Sequence, residues 1–313
     1  MKITIIAPFT FGYIEALVAE LAAKPSVEVT LINTGEFRFK YQSVFERVYN
    51  VYLKVIKSKN LKIQFQSREI VKILNEQPPQ DIIMVIRPDK LERSLLGTLR
   101  KYSSKLISYY FDSVSNFPQK IKLIPLFDEV YSYDKEDAQK YNLKFITNYI
   151  PYDSSGSKEV SGGVFNISSY DRRFPVLVTL ANQLKQMNYP FKFIVRKEKL
   201  IKVPDIEIVK EYIPLTEVKK LIEEAEVLLD IQKENQMGLS FRVFEALGYD
   251  KKLITTNQDI KTYDFYDSDN ILVLDKENLQ IPESFLKKQY KEVPEKIKEK
   301  YRRKAWSKEV FGI

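Results

Sequence analysis

The chain has 313 residues, which is enough for two domains of ordinary size. It contains no cysteine and no histidine, which excludes disulfides, thiol nucleophiles and thiolate metal sites and removes the commonest general base. No apolar run approaches the ~20 residues that span a bilayer. Glu15 and Glu20 interrupt the apolar N-terminus, so we expect a cytoplasmic protein without a signal peptide.

The net charge of +8 is spread unevenly along the chain. Residues 281–313 hold ten lysines and arginines against five glutamates. Such local basicity indicates local anionic partners. Residues 38–62 are the most basic segment, with Glu46 opposed by Arg38, Lys40, Arg47, Lys54, Lys57, Lys59 and Lys62.

The first elements follow the strand–loop–helix–strand order in which a Rossmann-like lobe begins. Apolar runs predict strands from Lys2 to Ala7 and from Val27 to Ile32, and helical spacing predicts a helix from Tyr13 to Ala23. Gly12 stands alone in the first loop, without the rest of G-x-G-x-x-G. No dinucleotide site is therefore predicted here.

The next segment, Phe37 to Lys62, places apolar residues at helical spacing with arginine and lysine between them. One interpretation is a helix that faces the core and exposes a basic surface to water. The other is an aromatic, basic helix at an anionic membrane surface. No nucleic-acid-binding motif accompanies this charge, so nucleic acid is not predicted as a partner. The spaced residues are Tyr41, Val44, Phe45, Val48, Tyr52, Val55 and Ile56.

Two polar residues end predicted strands in the rest of this lobe. Strands are predicted from Asp81 to Arg87 and from Leu106 to Phe111, with Asp112 directly after the second. Ligands of open α/β sheets bind beyond the carboxyl ends of strands, so Arg87 and Asp112 are candidate site residues. The alternative for Asp112 is a helix cap or an Asx-turn. We expect the lobe to close near Tyr149.

A serine- and glycine-rich stretch, Pro151 to Gly163, predicts a linker between two lobes. A strand and a polar loop then lead into a helix that reaches Met187. Arg172 and Arg173 precede this helix, where cations suit a bound diphosphate. The alternative is ordinary capping of the helix with solvated arginines.

The most informative stretch is QKENQMGLSFRVFEALGYDKKLITTN, residues 232–257. A buried strand runs into a polar loop, Gly238 and Ser240 open a short helix, and Gly248 ends it. Backbone N–H groups and the positive end of the helix dipole favour a phosphate at such a loop.

Arg242 and Glu245 are three residues apart and therefore share one face of this helix. At the mouth of a sugar-nucleotide site, the guanidinium suits the diphosphate and the carboxylate suits ribose hydroxyls. The alternative is an exposed ion pair on an ordinary α/β helix.

Two features of the C-terminal region complete the pattern. Asp267-Ser268-Asp269 matches the D-x-D of metal-dependent transferases, but it precedes a predicted strand, so we interpret it as a turn and predict no metal. Glu295 to Val310 predicts a final basic helix that contains the only tryptophan, Trp306. Its charge could add to attachment at an anionic membrane.

The segment GLSFRVFEALGYDKKLITTN resembles the donor-binding segment of bacterial glycosyltransferases with the GT-B architecture. It is most similar to a group in capsule and lipopolysaccharide gene clusters that carries G-x-S-x-R-x-x-E-A in this helix. The resemblance implies an α/β fold with two Rossmann-like lobes facing each other across a cleft. The expected parts are an acceptor-binding lobe (1–150), a linker (151–163), a donor-binding lobe (164–293) and a C-terminal helix (294–313) that packs back on the first lobe.

The resemblance also assigns roles on the donor side. In that family the helix glutamate holds the donor ribose, which implies this role for Glu245. The E-x7-E version would need a second acid at the position of Met237, so that role does not carry over. A diphosphate contact is implied for Arg172 or Arg173, and a place beside the nucleotide base for Tyr212.

On the first lobe, the resemblance places Gly12 and Tyr13 at the acceptor side, where we also expect Arg87. Asp112 is the candidate that orients the acceptor hydroxyl. Inverting members often use a histidine base on this lobe, so here Asp112 or Glu15 would have to substitute. A retaining transfer lets the leaving phosphate take the acceptor proton, and we predict retention.

These features predict transfer of a sugar from a nucleotide-activated donor to a glycan or lipid-linked acceptor in bacterial surface polysaccharide synthesis. Arg242, Arg172 or Arg173 and the amides of Gly238 to Ser240 would stabilise the departing diphosphate without a metal. One alternative is a sugar-nucleotide epimerase or hydrolase of the same architecture. Another is a non-enzymatic two-lobed protein that binds a sugar or a nucleotide. The expected location is the cytoplasm, at the inner face of the membrane if the basic segments bind it.

Overall fold

The computed structural model describes residues 1–56, 59–154, 162–275 and 277–313 and divides into two compact units, Met1–Ile146 and Thr147–Ile313. Each unit contains a six-stranded parallel sheet. The predicted fold class, α/β with two Rossmann-like lobes, is confirmed. Residues 155–161 of the predicted linker lie outside the described residues, as does Lys57 of the basic segment.

The first unit arranges its strands so that the order reverses beside its first strand. The strands are β1 (Lys2–Ala7), β2 (Glu28–Asn33), β3 (Gln80–Ile86), β4 (Ser103–Tyr110), β5 (Glu129–Ser132) and β6 (Lys144–Phe145). Their order in the sheet is β2-β1-β3-β4-β5-β6, with the switch point between β1 and β3. The helices are α1 (Tyr13–Ala22), α2 (Val44–Ile56), α3 (Leu61–Asn75), α4 (Arg93–Leu99) and α5 (Lys135–Tyr141), with 3-10 segments at Pro88–Lys90, Val114–Asn116 and Pro118–Leu126.

The second unit has the strand order of a nucleotide-binding Rossmann fold. Its strands are β7 (Val164–Ser169), β8 (Phe191–Arg196), β9 (Glu207–Val209), β10 (Val227–Asp230), β11 (Lys252–Thr255) and β12 (Ile271–Val273). The sheet order β9-β8-β7-β10-β11-β12 corresponds to 3-2-1-4-5-6, with the switch point between β7 and β10. The helices are α6 (Phe174–Gln186), α7 (Leu215–Glu224), α8 (Phe241–Gly248), α9 (Glu283–Lys287), α10 (Glu295–Lys298) and α11 (Arg303–Phe311), with 3-10 segments at Gln258–Thr262 and Glu299–Tyr301.

Apolar periodicity explains most of these elements. Strands β10 and β11 are buried along their whole length, as expected for parallel strands with both faces covered. Helix α6 buries Leu177, Leu180, Ala181 and Leu184, which recur at the spacing of one helix face. These residues pack in one core with Leu229 and Ile254 of the sheet.

Helix α2 does not face the core, and that interpretation of its sequence is wrong. Its Phe45 side chain is 87% exposed, and Val44, Val48 and Val55 are exposed as well. Of the described helices, none is long and apolar enough to pass through a bilayer.

Helix α8 ends at Gly248, as predicted, but for a different reason. The left-handed residue after the helix is Asp250, with φ of 53°. Gly248 is needed because a Cβ there would lie 2.5 Å from Cγ2 of Ile150. Close packing, rather than a left-handed turn, therefore requires the glycine.

The C-terminal helix α11 packs on the first residues of its own unit. The indole Nε1 of Trp306 donates to the carbonyl of Thr147 at 3.0 Å, and its ring lies 5.2 Å from that of Tyr149. The predicted boundary at residue 150 assigned Thr147 and Tyr149 to the first lobe, whereas they belong to the second compact unit. Packing of α11 against the first unit stays a prediction.

Gly163, directly before β7, offers a test of the backbone packing. Its φ is +92°, and a Cβ there would lie 2.5 Å from the carbonyl oxygen of Pro190. We expect Gly163→Ala to lower the free energy of unfolding by about 2 to 3 kcal/mol, because a strained φ and a backbone clash add together.

The control is Gly162→Ala, which has φ of +85° but no atom within 4 Å of the added Cβ. It should cost less than Gly163→Ala in urea unfolding. Equal losses in the two variants would contradict the clash.

Candidate functional site

The predicted donor-site residues lie at the carboxyl edge of the second sheet. Loop 170–173 follows β7 and loop 231–240 follows β10, and these two strands are neighbours at the switch point. Arg173 joins the loops by donating from Nη1 to the carbonyl of Ile231 at 2.8 Å. In folds with this strand order, ligands bind at this position.

Four successive carbonyls of the loop after β10 accept from side-chain amides. Gln232 donates to the carbonyl of residue 236, Asn257 to those of 237 and 238 at 3.0 and 3.3 Å, and Asn148 to that of 239 at 2.8 Å. Because a trans peptide directs its N–H opposite to its carbonyl, the N–H groups of residues 237–240 are directed away from these amides. Successive N–H groups before a helix form the kind of concavity that binds anions.

Ser240 precedes helix α8 but does not cap it with its side chain. Its Oγ donates instead to Oδ1 of Asp230 at 2.8 Å, and Oδ2 of this buried aspartate accepts from Thr255 at 3.3 Å. The hydroxyl thereby fixes the start of the helix to the ends of β10 and β11. A helix N-terminus without a side-chain cap suits an anionic ligand.

Arg242 and Glu245 form a buried ion pair, so the exposed-pair alternative is wrong. Nη1 of Arg242 lies 2.6 Å from Oε2 of Glu245, and the two side chains are 11% and 2% exposed. With so little exposed, Glu245 can accept from a ribose hydroxyl only after Arg242 or the loop moves. Removing one partner would leave the other charge buried and uncompensated.

The two arginines after β7 have different surroundings. Arg173 donates to both carboxylate oxygens of Asp171 as well as to the carbonyl of Ile231. Burial would raise the pKa of Asp171, but the hydrogen bonds from Arg173 outweigh it and hold that pKa below its ordinary value. Arg172 is 90% exposed, with Nη1 3.7 Å from Glu234. Arg173 therefore connects the loops, and Arg172 is the arginine that a ligand can recruit.

Two cation–ring pairs extend this edge along β7, β8 and β9. The guanidinium of Arg196 lies 4.1 Å from the ring centre of Tyr212, and Nζ of Lys197 lies 3.1 Å from that of Tyr170. Both tyrosines are partly exposed. Aromatic faces of this kind suit a nucleobase, which stacks on them. The place of Tyr212 beside the base stays a prediction. Sequence reasoning did not single out Tyr170 and Lys197, which directly follow β7 and β8 in the structure.

A charge cluster lies at the carboxyl ends of β3 and β4 in the first unit. Arg87, in the left-handed conformation with φ of 57°, donates to Asp89 at 2.8 Å and lies 3.3 Å from Oδ2 of Asp112. Its guanidinium lies 4.0 Å from the ring centre of Phe117. Burial would raise the pKa of Asp89, but Arg87 holds it below its ordinary value. The structure thus brings Arg87 and Asp112 together.

Lys120 belongs to this cluster and was missed in the sequence. Its side chain is fully buried, and Nζ donates to the backbone carbonyl of Asp112 at 2.9 Å. Burial lowers the pKa of Lys120 to about 8, although Asp112 and Asp89 favour the charged form. Lysine is ordinarily exposed, so nothing in the sequence around Lys120 indicates that it is buried.

The loop after β1 carries the remaining acceptor-side residues. Gly12 is left-handed, with φ of 85°, and precedes Tyr13 at the start of α1. Phe9 and Phe11 of this loop are half-exposed, with their rings 5.1 Å apart. Glu15 accepts from the hydroxyl of Thr10 at 3.1 Å. Since β1 neighbours β3, this loop and Arg87 follow adjacent strands.

The D-x-D segment forms a turn, as predicted. Oδ1 of Asp267 accepts from the N–H of Asp269 at 2.9 Å, and the two aspartates pair with Lys291 and Lys288. The expectation that no metal is needed stays a prediction.

Several solved structures have the same fold. An alpha-glucosyltransferase in complex with UDP-glucose and DNA containing an abasic site has a TM-score of 0.59 at 14% identity, covering 97% of this chain and 91% of that chain. UDP-GlcNAc 2-epimerase from Methanocaldococcus jannaschii, with UDP-GlcNAc and UDP, has a TM-score of 0.53 at 12% identity, covering 96% and 98%. S. aureus MnaA with UDP has a TM-score of 0.51 at 12% identity, covering 89% and 86%.

At these identities the likeness shows the fold, which is the GT-B type with two Rossmann-like units. No protein-family model matches the chain, and no curated protein matches it significantly. The capsule and lipopolysaccharide resemblance therefore rests on the sequence motif in α8.

The buried lysine predicts a pH dependence of stability. Its pKa is about 8 in the folded chain against an ordinary 10.5, so above pH 8 the unfolded state binds more protons and stability rises with pH. Relative to Lys120→Met, the wild type should gain about 3 kcal/mol in free energy of unfolding between these two pH values.

Denaturant unfolding at several pH values measures this difference. Lys122→Met, which removes an exposed lysine of the same segment, should show no comparable change with pH. A difference between the wild type and Lys120→Met that is constant with pH would contradict the assignment.

Proposed function

We propose that the chain binds a nucleotide-activated sugar at the β7–β10 edge and transfers the sugar to a glycan or lipid-linked acceptor in bacterial surface polysaccharide synthesis. The carrying observation is that the carbonyls of residues 236–239, in the loop before α8, accept from side-chain amides at the switch point of a Rossmann sheet. The donor class is supported by the three structures of the same fold, which are described with UDP, UDP-glucose or UDP-GlcNAc.

The donor diphosphate would lie against the N–H groups of residues 237–240 and the N-terminus of α8. When the bond from the anomeric carbon to the diphosphate oxygen breaks, negative charge develops on the leaving group. Preorganised N–H groups stabilise such charge without reorganisation. Arg172 supplies a mobile positive charge beside them, and no step requires a metal.

Arg242 would exchange partners when the donor binds. In the structure its guanidinium is paired with Glu245, and turning it towards the diphosphate frees the carboxylate to accept from ribose hydroxyls. One movement of the Arg242 side chain thus provides two contacts, Arg242 with the diphosphate and Glu245 with the ribose. A nucleotide without a diphosphate should drive this exchange poorly.

The acceptor would bind at the carboxyl edge of the first sheet. Asp112 orients the acceptor hydroxyl, and Arg87 and Lys120 fix its side chain and backbone. The exposed faces of Phe9 and Phe11 suit the apolar face of a sugar. The leaving phosphate takes the acceptor proton, which gives retention and needs no strong protein base.

A sugar-nucleotide epimerase is the second candidate, favoured by the epimerase structures of the same fold. It would share the donor site and need no acceptor. Incubation with UDP-sugars without acceptor separates the two functions. Without an acceptor, an epimerase converts the UDP-sugar to its epimer, with the sugar still attached to UDP. A transferase leaves the configuration of the sugar unchanged and consumes little of the donor.

Thermal-shift titration with nucleoside diphosphates and UDP-sugars tests the donor site. Arg172→Gln should weaken binding by roughly 10- to 150-fold, because a charge-assisted hydrogen bond is worth about 1.5 to 3 kcal/mol. Its melting temperature without ligand should match the wild type, since the side chain is exposed. Glu245→Gln should also weaken the binding of UDP while preserving the shape of the buried pair.

Both variants remove the charge that pairs with Arg242. Glu245→Ala is the poorer one because it also removes the acceptor and the side-chain volume, and breaking a buried pair in this way costs about 3 to 5 kcal/mol and mixes stability with binding. Lys220→Gln, which changes an exposed cation of α7, is the matched control and should bind like the wild type. Equal affinities in wild type, Arg172→Gln and Glu245→Gln would contradict the site. A chain that no nucleotide stabilises would contradict the function.

A further inference from the structure

Helix α2 presents an apolar surface to solvent. At about 100° per residue, its exposed apolar side chains cover a continuous arc of roughly 160°, and of this helix only Asn50 and Leu53 are buried. A surface helix ordinarily turns its apolar side to the core, so this orientation is inverted. The exposed residues are Val44, Phe45, Val48, Tyr49, Val51, Tyr52, Val55 and Ile56.

The inverted orientation is fixed by hydrogen bonds on the buried side. The side-chain amide of Asn50 donates to the hydroxyl of Tyr41 at 2.7 Å, and its oxygen accepts from the N–H of Leu61 at 2.8 Å. Rotation of α2 to bury its apolar arc would remove Asn50 from these partners and leave polar groups unsatisfied. The exposed arc is therefore a built feature of the first unit.

Basic residues border the exposed arc along one side of the helix. Arg47 and Lys54 lie beside it on the helix, and neither forms an ion pair with any part of the chain that the structure describes. The basic C-terminal segment is different, since Lys298, Lys300 and Arg303 pair with Asp250, Asp264 and Asp153. The further exposed bases near α2 are Arg38, Lys40, Lys59 and Lys62.

We infer that α2 docks the chain on an anionic bilayer. Its apolar arc enters the boundary between head groups and acyl chains, and Arg47 and Lys54 lie at the level of the lipid phosphates. Helices that lie in the membrane plane combine these features, a broad apolar side and a basic polar side. Helix α2 belongs to the first unit and the donor site to the second, and the inference of docking does not rest on the proposed transfer.

A second copy of the chain fits this surface less well. A two-fold contact would place the same patch on both partners. The basic residues around each arc would then face each other, with Glu46 as the acid of the helix. Like charges at an interface disfavour association, whereas anionic lipid complements them.

Cosedimentation of the full chain with vesicles tests the inference. The chain should bind vesicles of phosphatidylcholine and phosphatidylglycerol, and bind pure phosphatidylcholine far less. Val48→Ser combined with Val55→Ser should weaken binding at least tenfold through lost apolar insertion. Arg47→Gln combined with Lys54→Gln should weaken binding roughly 25-fold, at roughly fivefold for each basic residue, and should reduce its salt dependence.

Matched controls distinguish binding through α2 from nonspecific apolar or electrostatic binding elsewhere on the chain. Leu200→Ser removes an exposed apolar residue of the second unit, and Lys101→Gln removes an exposed lysine of the first. Both should bind as the wild type does. All variants should keep the wild-type melting temperature, because the replaced side chains are exposed.

Three results would overturn the inference. The first is absence of binding to the anionic vesicles. The second is equal binding by the α2 variants and the controls. The third is a dimer in light scattering that the Val48 and Val55 changes dissociate while vesicle binding stays the same, which would assign the arc to a second copy.

Discussion

A planar peptide cannot direct its carbonyl and its N–H to the same side, and the candidate donor site depends on this constraint. The carbonyls of residues 236–239 each accept a hydrogen bond from a side-chain amide. Two of the donors, Asn257 and Asn148, are buried. Each N–H group that follows is thereby directed away from its amide donor before any ligand arrives. Arg173 holds the neighbouring loop to the same strand end. Preorganisation of this kind is what makes backbone dipoles effective for developing negative charge.

Both units have buried charged pairs beyond the carboxyl edges of their sheets. The second unit buries Arg242 with Glu245, and the first buries Lys120 beside Arg87 and Asp112. Buried charges rarely add stability compared with apolar residues of the same size, and they cluster at functional sites. Their position beyond the carboxyl ends of the strands, where ligands of open α/β sheets bind, agrees with a role in binding.

The sequence predicted those parts of the fold that depend on local pattern. Apolar runs located strands such as β1 and β10, and Gly238 with Ser240 located the start of α8. The turn at Asp267 followed from its aspartates. The strand-end rule was enough to bring Arg87 and Asp112 together, because parallel strands end at the same edge.

The features of the structure that the sequence did not predict depend on single tertiary contacts. Arg172 and Arg173 are adjacent, and only Asp171 and the carbonyl of Ile231 determine which one turns inward. The orientation of α2 depends on the hydrogen bonds of Asn50, which periodicity does not register. The burial of Lys120 arises from the carbonyl of Asp112, far from any lysine signal in the sequence.

The most direct test of the central claim is hydrogen–deuterium exchange of the full chain with and without saturating UDP. If loop 236–240 binds the diphosphate, this loop and the start of α8 should show the largest protection, with a smaller effect in residues 170–174. Protection confined to the first unit, or binding of UDP without protection of this loop, would contradict the account.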